Sequence, residues 1–222
     1  MVISADKQTG RYVYQLNGEP VPVQEFWRRQ RRTDGSVCVT SGRRAGAVAI
    51  DTEAREVAHR IESFSAQWRE EGGRELSVDY RLQGQVLHVA RREGGRVQAK
   101  EVDCSAEYTL LFPLMRIYVG SVLESLLAAG GHGCVILPEI GVAPDSEQLF
   151  EPRLSERRAE LVASEVLQDA SGVSRNCRRC LYLGDQYDQE ASFWLGEDHL
   201  LERYQWRQDA SRLWDVTLFR DD

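Results

Sequence analysis

The sequence predicts a mainly β protein, a single curled antiparallel sheet in the form of a spiral roll or half-barrel, with one principal helix. Three observations point there. Short runs of aromatic and β-branched residues return along the chain, separated by dipeptides that favour tight turns. Within many runs apolar and polar residues alternate with period two, as in strands with one buried and one wet face. Only near 118–130 does the period become helical. No internal repeat, low-complexity tract or linker divides the chain, so residues 1–222 read as one β-rich domain with a helix insertion near 118–130.

Taken in order, Arg11 to Leu16 is the first strand, and Asn17-Gly18 closes it with the strongest short hairpin signal. Val21 to Arg29 follows, then the turn dipeptide Asp34-Gly35, Ser36 to Thr40, and the apolar run Gly46 to Asp51. Glu56 to Trp68 admits a helix, but Ile61, Phe64 and Trp68 fit a long, twisted strand at least as well. Leu76 to Leu82 alternates strictly, and Gln83-Gly84 and Gly94-Gly95 separate it from Val86 to Ala90 and Val97 to Val102. Together these runs form an antiparallel meander.

Val119, Val122, Leu123, Leu126 and Leu127 then recur at helical spacing, and Gly130-Gly131 suits a left-handed C-cap. Cys134 to Leu137 is a strand ended by Pro138, and Gly141 to Glu151 is a long loop. Segment 155–169 is ambiguous between a helix, by propensity, and a strand through Leu161, Ala163 and Glu165. Four strands close the chain: Cys180 to Gly184, Ala191 to Leu195, Leu200 to Arg207 and Leu213 to Arg220.

Composition bounds the function. A chain of 222 residues with 42% hydrophobic content can bury a core without metal or disulfide staples. A net charge of −7 argues against nucleic acid as a partner. Of the 28 basic residues only Lys7 and Lys100 are lysines; arginine suits flat bidentate contacts with anions, but a coding bias explains the excess equally well. The runs Arg28-Arg29 with Arg31-Arg32, Arg91-Arg92 and Arg178-Arg179 read as solvated strand ends. No membrane span is expected, because Pro113, Arg116 and Glu124 interrupt the most apolar segment. The opening residues lack a secretory h-region, and Cys38, Cys104, Cys134, Cys177 and Cys180 form an odd set. The expectation is a cytoplasmic protein with reduced thiols.

Chemical motifs are sparse. Cys177-Arg178-Arg179-Cys180 has the spacing of half a zinc site or a redox pair, but no second pair accompanies it and it opens a strand rather than a helix. His132 and Cys134 share a strand face without an orienting acid. Asp185, Asp188 and Glu190, like Glu197-Asp198-His199, read as solvated turns, and His59 and His88 as strand histidines. No catalytic residue, metal ligand or cofactor is expected.

Two terminal patterns carry a resemblance: Gly10-x-Tyr12-x-Tyr14 with Glu25-Phe26-Trp27 and Asp34-Gly35-Ser36, and Tyr187 with Phe193-Trp194-Leu195, Leu200-x3-Tyr204-x-Trp206 and Trp214-x-Val216-x-Leu218. The pattern resembles bacterial proteins with a spiral or half-barrel antiparallel sheet, including glycolipid-binding proteins and the LolA/LolB lipoprotein carriers. Those carriers have signal peptides, a departure that weighs against lipoprotein transport here. The resemblance implies non-enzymatic binding of a lipid, glycolipid or other amphipathic small molecule between the concave sheet face and the helix. The candidate ligand-binding residues are Phe26, Trp27, Phe64, Trp68, Val122, Leu123, Leu126, Trp194, Tyr204 and Trp206, with about half of the aromatics on the concave face. Two alternatives stand beside it: an enzyme site assembled from scattered residues such as His59, Arg60, Glu62 and Arg203, or a homodimer formed through a sheet edge or the Leu-rich helix.

Overall fold

Turn chemistry sets the strand lengths. In a computed structural model describing residues 7–104, 107–140, 148–168, 172–185, 187 and 191–221, Asn17 and Gly18 both have positive φ (54° and 85°). That pairing matches the right-handed twist of the strands it joins. The first meander runs β1 (Lys7–Leu16), β2 (Glu19–Pro20), β3 (Val23–Arg31), β4 (Val37–Ala45), β5 (Val48–Val57), β6 (Arg60–Glu70), β7 (Glu75–Gln83), β8 (Val86–Glu93) and β9 (Arg96–Asp103). An inserted segment follows: β10 (Thr109–Leu110), a 3₁₀ turn (Arg116–Tyr118), α1 (Val119–Ala128) and β11 (His132–Pro138). The second meander is β12 (Pro152–Gln168), β13 (Ser174–Leu183), β14 (Ala191–Gly196), β15 (Leu201–Asp209) and β16 (Arg212–Arg220).

All of these strands belong to one sheet, antiparallel except for the β10–β11 pair. Its order is β10-β11-β12-β13-β14-β15-β16-β1-β3-β4-β5-β6-β7-β8-β9, with β2 beside β1. The two meanders therefore join at β16–β1, where Tyr12 faces Leu218 and Tyr14 faces Val216. The ends of the sheet, β9 and β10, do not pair, so it curls without closing into a barrel. The inserted segment lies inside the curl: Leu110, Phe112, Met115, Val122, Leu123 and Leu126 are buried in one cluster with the strands' inward side chains.

Two local expectations resolve into different elements. The stretch 56–68 is not one strand: Ala58 and His59 have φ of 47° and 63°, and this tight turn separates the end of β5 from β6. His59 is thus a turn residue rather than a strand residue. Segment 155–169 is strand through Gln168; alternate residues Ser155, Arg157 and Ala159 are buried, and β12 pairs with β11 over its first part and with β13 beyond. Sheet pairing along its edges overrides its helical propensity. Position 169, and residues 141–147 of the expected loop, lie outside the described residues.

Candidate ligand-binding interior

On a strand, alternate residues share a face, and the inner face can be followed strand by strand. In β3, Glu25 and Trp27 point inward while Phe26 points out, 49% exposed, its ring lying over Gly42, where a Cβ would come within 2.3 Å of it. Trp194 also lies off the inner face; it is buried by Arg203 above its ring (5.6 Å) and donates to Glu165 (2.8 Å). The other eight residues named from the sequence, Trp27, Phe64, Trp68, Val122, Leu123, Leu126, Tyr204 and Trp206, share one buried cluster.

That interior has two aromatic centres. Against the first meander, Phe64 stacks on Tyr80 (4.6 Å) and meets Phe112 edge-on (5.8 Å), and Phe150 bridges Phe112 and Trp68. Against the second, Tyr187 makes edge contacts with Phe193 (5.4 Å), Tyr204 (5.9 Å) and Trp206 (5.2 Å), and Tyr182 packs on Phe193 (5.4 Å).

Between the two centres sits a polar group that sequence reasoning missed. Glu25, fully buried, accepts hydrogen bonds from the backbone N–H of Arg116 (2.6 Å) and from the Tyr14 hydroxyl, and Arg43 lies 3.7 Å away. Burial pushes the Glu25 carboxyl above its usual range, against the opposing pull of Tyr14, Arg43 and Arg116. Arg116 enters the second aromatic centre, donating to the Tyr187 hydroxyl (2.9 Å) with its guanidinium 5.1 Å from the Tyr204 ring centre. Arg157 lies 5.2 Å from the Tyr182 ring centre and donates to Asp185 (3.1 Å). Three buried donors here lack an acceptor among the described residues: Arg116 Nε, Arg157 Nε and the Tyr182 hydroxyl. The one available signal was Glu25, a carboxylate at an inward position of a period-two strand, between Val23 and Trp27.

The scattered polar set does not assemble. Glu62 pairs with Arg55 (2.6 Å), Arg203 donates to Asp215 (2.9 Å), and His59 packs against His199 with ring centres 4.2 Å apart. Arg91 is not a solvated strand end: it is buried and donates through Nε to the Leu149 carbonyl (3.0 Å). Among the described residues no group of three or more His, Cys, Asp or Glu could hold a metal ion. The cysteines are free, and burial pushes the Cys177 and Cys180 thiols up to about 11. Asp185 of the acidic turn pairs with Arg153 (2.6 Å), while Asp188 and Glu190 lie outside the described residues. No helix among the described residues is long and apolar enough to cross a membrane.

An open groove of about 1330 Å³ crosses the outer face of β4–β9, floored by Ser63, Ser65 and Ala90 and rimmed by Arg55, Asp79 and His88. Its lining mixes polar and apolar side chains, and it carries paired groups such as His88 and Glu101 (3.1 Å). It is not the apolar cleft expected from the sequence.

No protein-family model and no curated protein matches the chain in sequence. Its structure is similar to that of a beta-barrel-like protein of the domain of unknown function DUF1849 from Brucella abortus, with a TM-score of 0.55 and 9% identity. The match covers 98% of this chain and 97% of that one. At this identity the likeness shows the fold alone, a curled all-β architecture.

Proposed function

We propose that this protein binds a lipid, glycolipid or other amphipathic molecule without catalysing a reaction, its apolar part lying between the inner sheet face and the inserted segment. The supporting observation is the interior itself, an apolar and aromatic surface that also buries guanidinium and phenol donors without acceptors. A core selected for stability alone gains nothing from such groups, since apolar side chains of similar volume do as well or better. Their presence is understandable if something else supplies the acceptor. The closed interior then corresponds to the ligand-free arrangement, with α1 occupying the place of the ligand's chain. Five cysteines without a disulfide suit a reducing compartment such as the cytoplasm.

Native mass spectrometry of freshly purified protein tests this reading, with a co-purified lipid expected as added mass. A fluorescent fatty acid should bind with about micromolar affinity and change tryptophan emission, and Leu126→Trp should block it while the protein stays folded. If a saturating screen of fatty acids and glycolipids moves neither tryptophan emission nor the thermal midpoint, the reading fails.

A second reading, a homodimer through a sheet edge, is favoured by β12. Beyond Arg158 it pairs, among the described residues, only with β13, and Leu161 and Val166 stand 51% and 63% exposed on that stretch. Unpaired apolar edges invite strand addition. Sedimentation of the intact protein and of Val166→Lys decides it: a dimer that dissociates in the variant supports it, and a monomer throughout removes it.

A further inference from the structure

We infer that the head group of the bound molecule is an oxyanion, a carboxylate or phosphate, seated against Arg116, Arg157 and Tyr182. The inference rests on the binding reading above and names its ligand class.

Of the buried donors without a partner among the described residues, Arg116 Nε, Arg157 Nε and the Tyr182 hydroxyl belong to one connected set of side chains. Arg157 packs on the Tyr182 ring, Tyr182 packs on Tyr187 (5.7 Å), and Tyr187 accepts a hydrogen bond from Arg116. A cationic head would meet two guanidinium groups and is excluded by charge. A neutral hydroxyl supplies one acceptor oxygen but adds a donor of its own to a place already rich in donors. A carboxylate or phosphate offers several lone pairs and no obligatory donor, and guanidinium groups bind it bidentately.

Charge accounting points the same way. Arg43 and Arg116 face a single buried carboxylate, Glu25, whose charged form burial already disfavours. Arg157 shares Asp185 with Arg153. Around this set of side chains Arg43, Arg116, Arg153 and Arg157 face Glu25, Asp185 and Glu139, and an anionic head would balance the local cationic excess where water is excluded and the attraction is least screened.

Titrations followed by tryptophan emission, using dodecanoate, dodecyl phosphate, dodecanol and dodecyltrimethylammonium, test this. At least one of the two anions should bind about tenfold or more tightly than dodecanol, the scale of one charge-assisted hydrogen bond. Which anion prevails distinguishes a carboxylate head from a phosphate one, and the ammonium should bind weakest. Arg116→Met should abolish the preference, and Tyr182→Phe, which keeps the ring, should reduce it several-fold even if the arginine variant fails to fold. Equal binding of the anions and dodecanol would overturn this inference and leave the binding reading standing. If no amphiphile binds and no lipid co-purifies, the binding reading falls and the inference with it.

Discussion

The two meanders bury similar side chains but finish their hydrogen bonding differently. In the first, Tyr80 donates to the Phe150 carbonyl (2.7 Å), Tyr118 of the inserted segment meets Thr52 (2.7 Å), and buried Arg91 reaches the Leu149 carbonyl (3.0 Å) and Gln98 (3.2 Å). In the second, Tyr182 is as deeply buried as Tyr80, yet among the described residues its hydroxyl has no partner, and neither does the Nε of Arg116 or Arg157. A buried donor left unmade costs about 1–3 kcal/mol, so three of them form a local deficit that the first meander does not carry around its aromatic centre. The first meander has such atoms too, Trp27 Nε1 and Arg60 Nε, but they lie on separate strands, β3 and β6, whereas those of the second lie along one connected set of side chains.

The largest expected effect tests the aromatic centre of the first meander. Phe64→Ala removes a ring stacked on Tyr80 and edge-on to Phe112 and should lower unfolding free energy by about 3–5 kcal/mol in urea titrations. Added dodecanoate should not restore it; full rescue would place the chain-binding space in the first meander and break the contrast.

Gly120→Ala comes next. A Cβ there would lie 2.2 Å from the His199 carbonyl oxygen, so α1 and the β14–β15 turn must separate. Overpacking of this kind should cost about 1–3 kcal/mol. An unchanged urea midpoint would mean that α1 is already loosely held against the second meander.

The pair Tyr80→Phe and Tyr182→Phe compares the halves directly. The first strands the Phe150 carbonyl and should cost about 1–3 kcal/mol, whereas the second removes a hydroxyl with no partner and should be neutral or stabilising. Equal losses in thermal midpoint would show that Tyr182 is satisfied in solution.

The smallest effect concerns the junction of the halves at His59 and His199, where Glu56 lies 3.8 Å from His59, Arg29 pairs with Glu56 (3.2 Å), and Glu124 bonds His199 (2.6 Å). Burial, then the neighbouring His199, holds the His59 imidazole below its ordinary value of 6.5. The fold therefore prefers neutral His59. Its contribution is full above about pH 6.5 and is lost as pH falls through the lowered folded value. The urea midpoint should decline as pH falls below about 6.5, and His59→Asn, which tolerates the left-handed backbone, should flatten that decline. An identical slope in the variant would exclude His59 as its source.

Much of the architecture was legible because strands and turns announce themselves locally. Asn17-Gly18 and the alternating Leu76 to Leu82 needed no tertiary information, and the stripe from Val119 to Leu127 located the helix. Two elements were not legible. Ala58-His59 carries no turn chemistry, so only the chain's return at β6 reveals the turn. Segment 155–169 has the composition of a helix, and pairing with the strands before and after it, β11 and β13, makes it β. The candidate interior divides in the same way. Hydrophobicity found its apolar residues, but period two alone could not say that Phe26 and Trp194 turn outward. Arg116 looked only like an interruption in an apolar segment, because its partners Glu25, Tyr187 and Tyr204 are remote in sequence.

The seam between β16 and β1 has a consequence for how the molecule is made. Gly10 pairs with Arg220, so the centre of the sheet joins residues about 200 positions apart, while both outer edges come from the middle of the chain. During synthesis at roughly 5–20 residues per second, β1 waits some 10–40 s for its neighbour to emerge. Throughout that interval the edge that will meet β16 stays open, with the inward residues Tyr12 and Tyr14 uncovered by β15 and β16. The nascent chain is therefore most vulnerable to mispairing at the line that later becomes its middle.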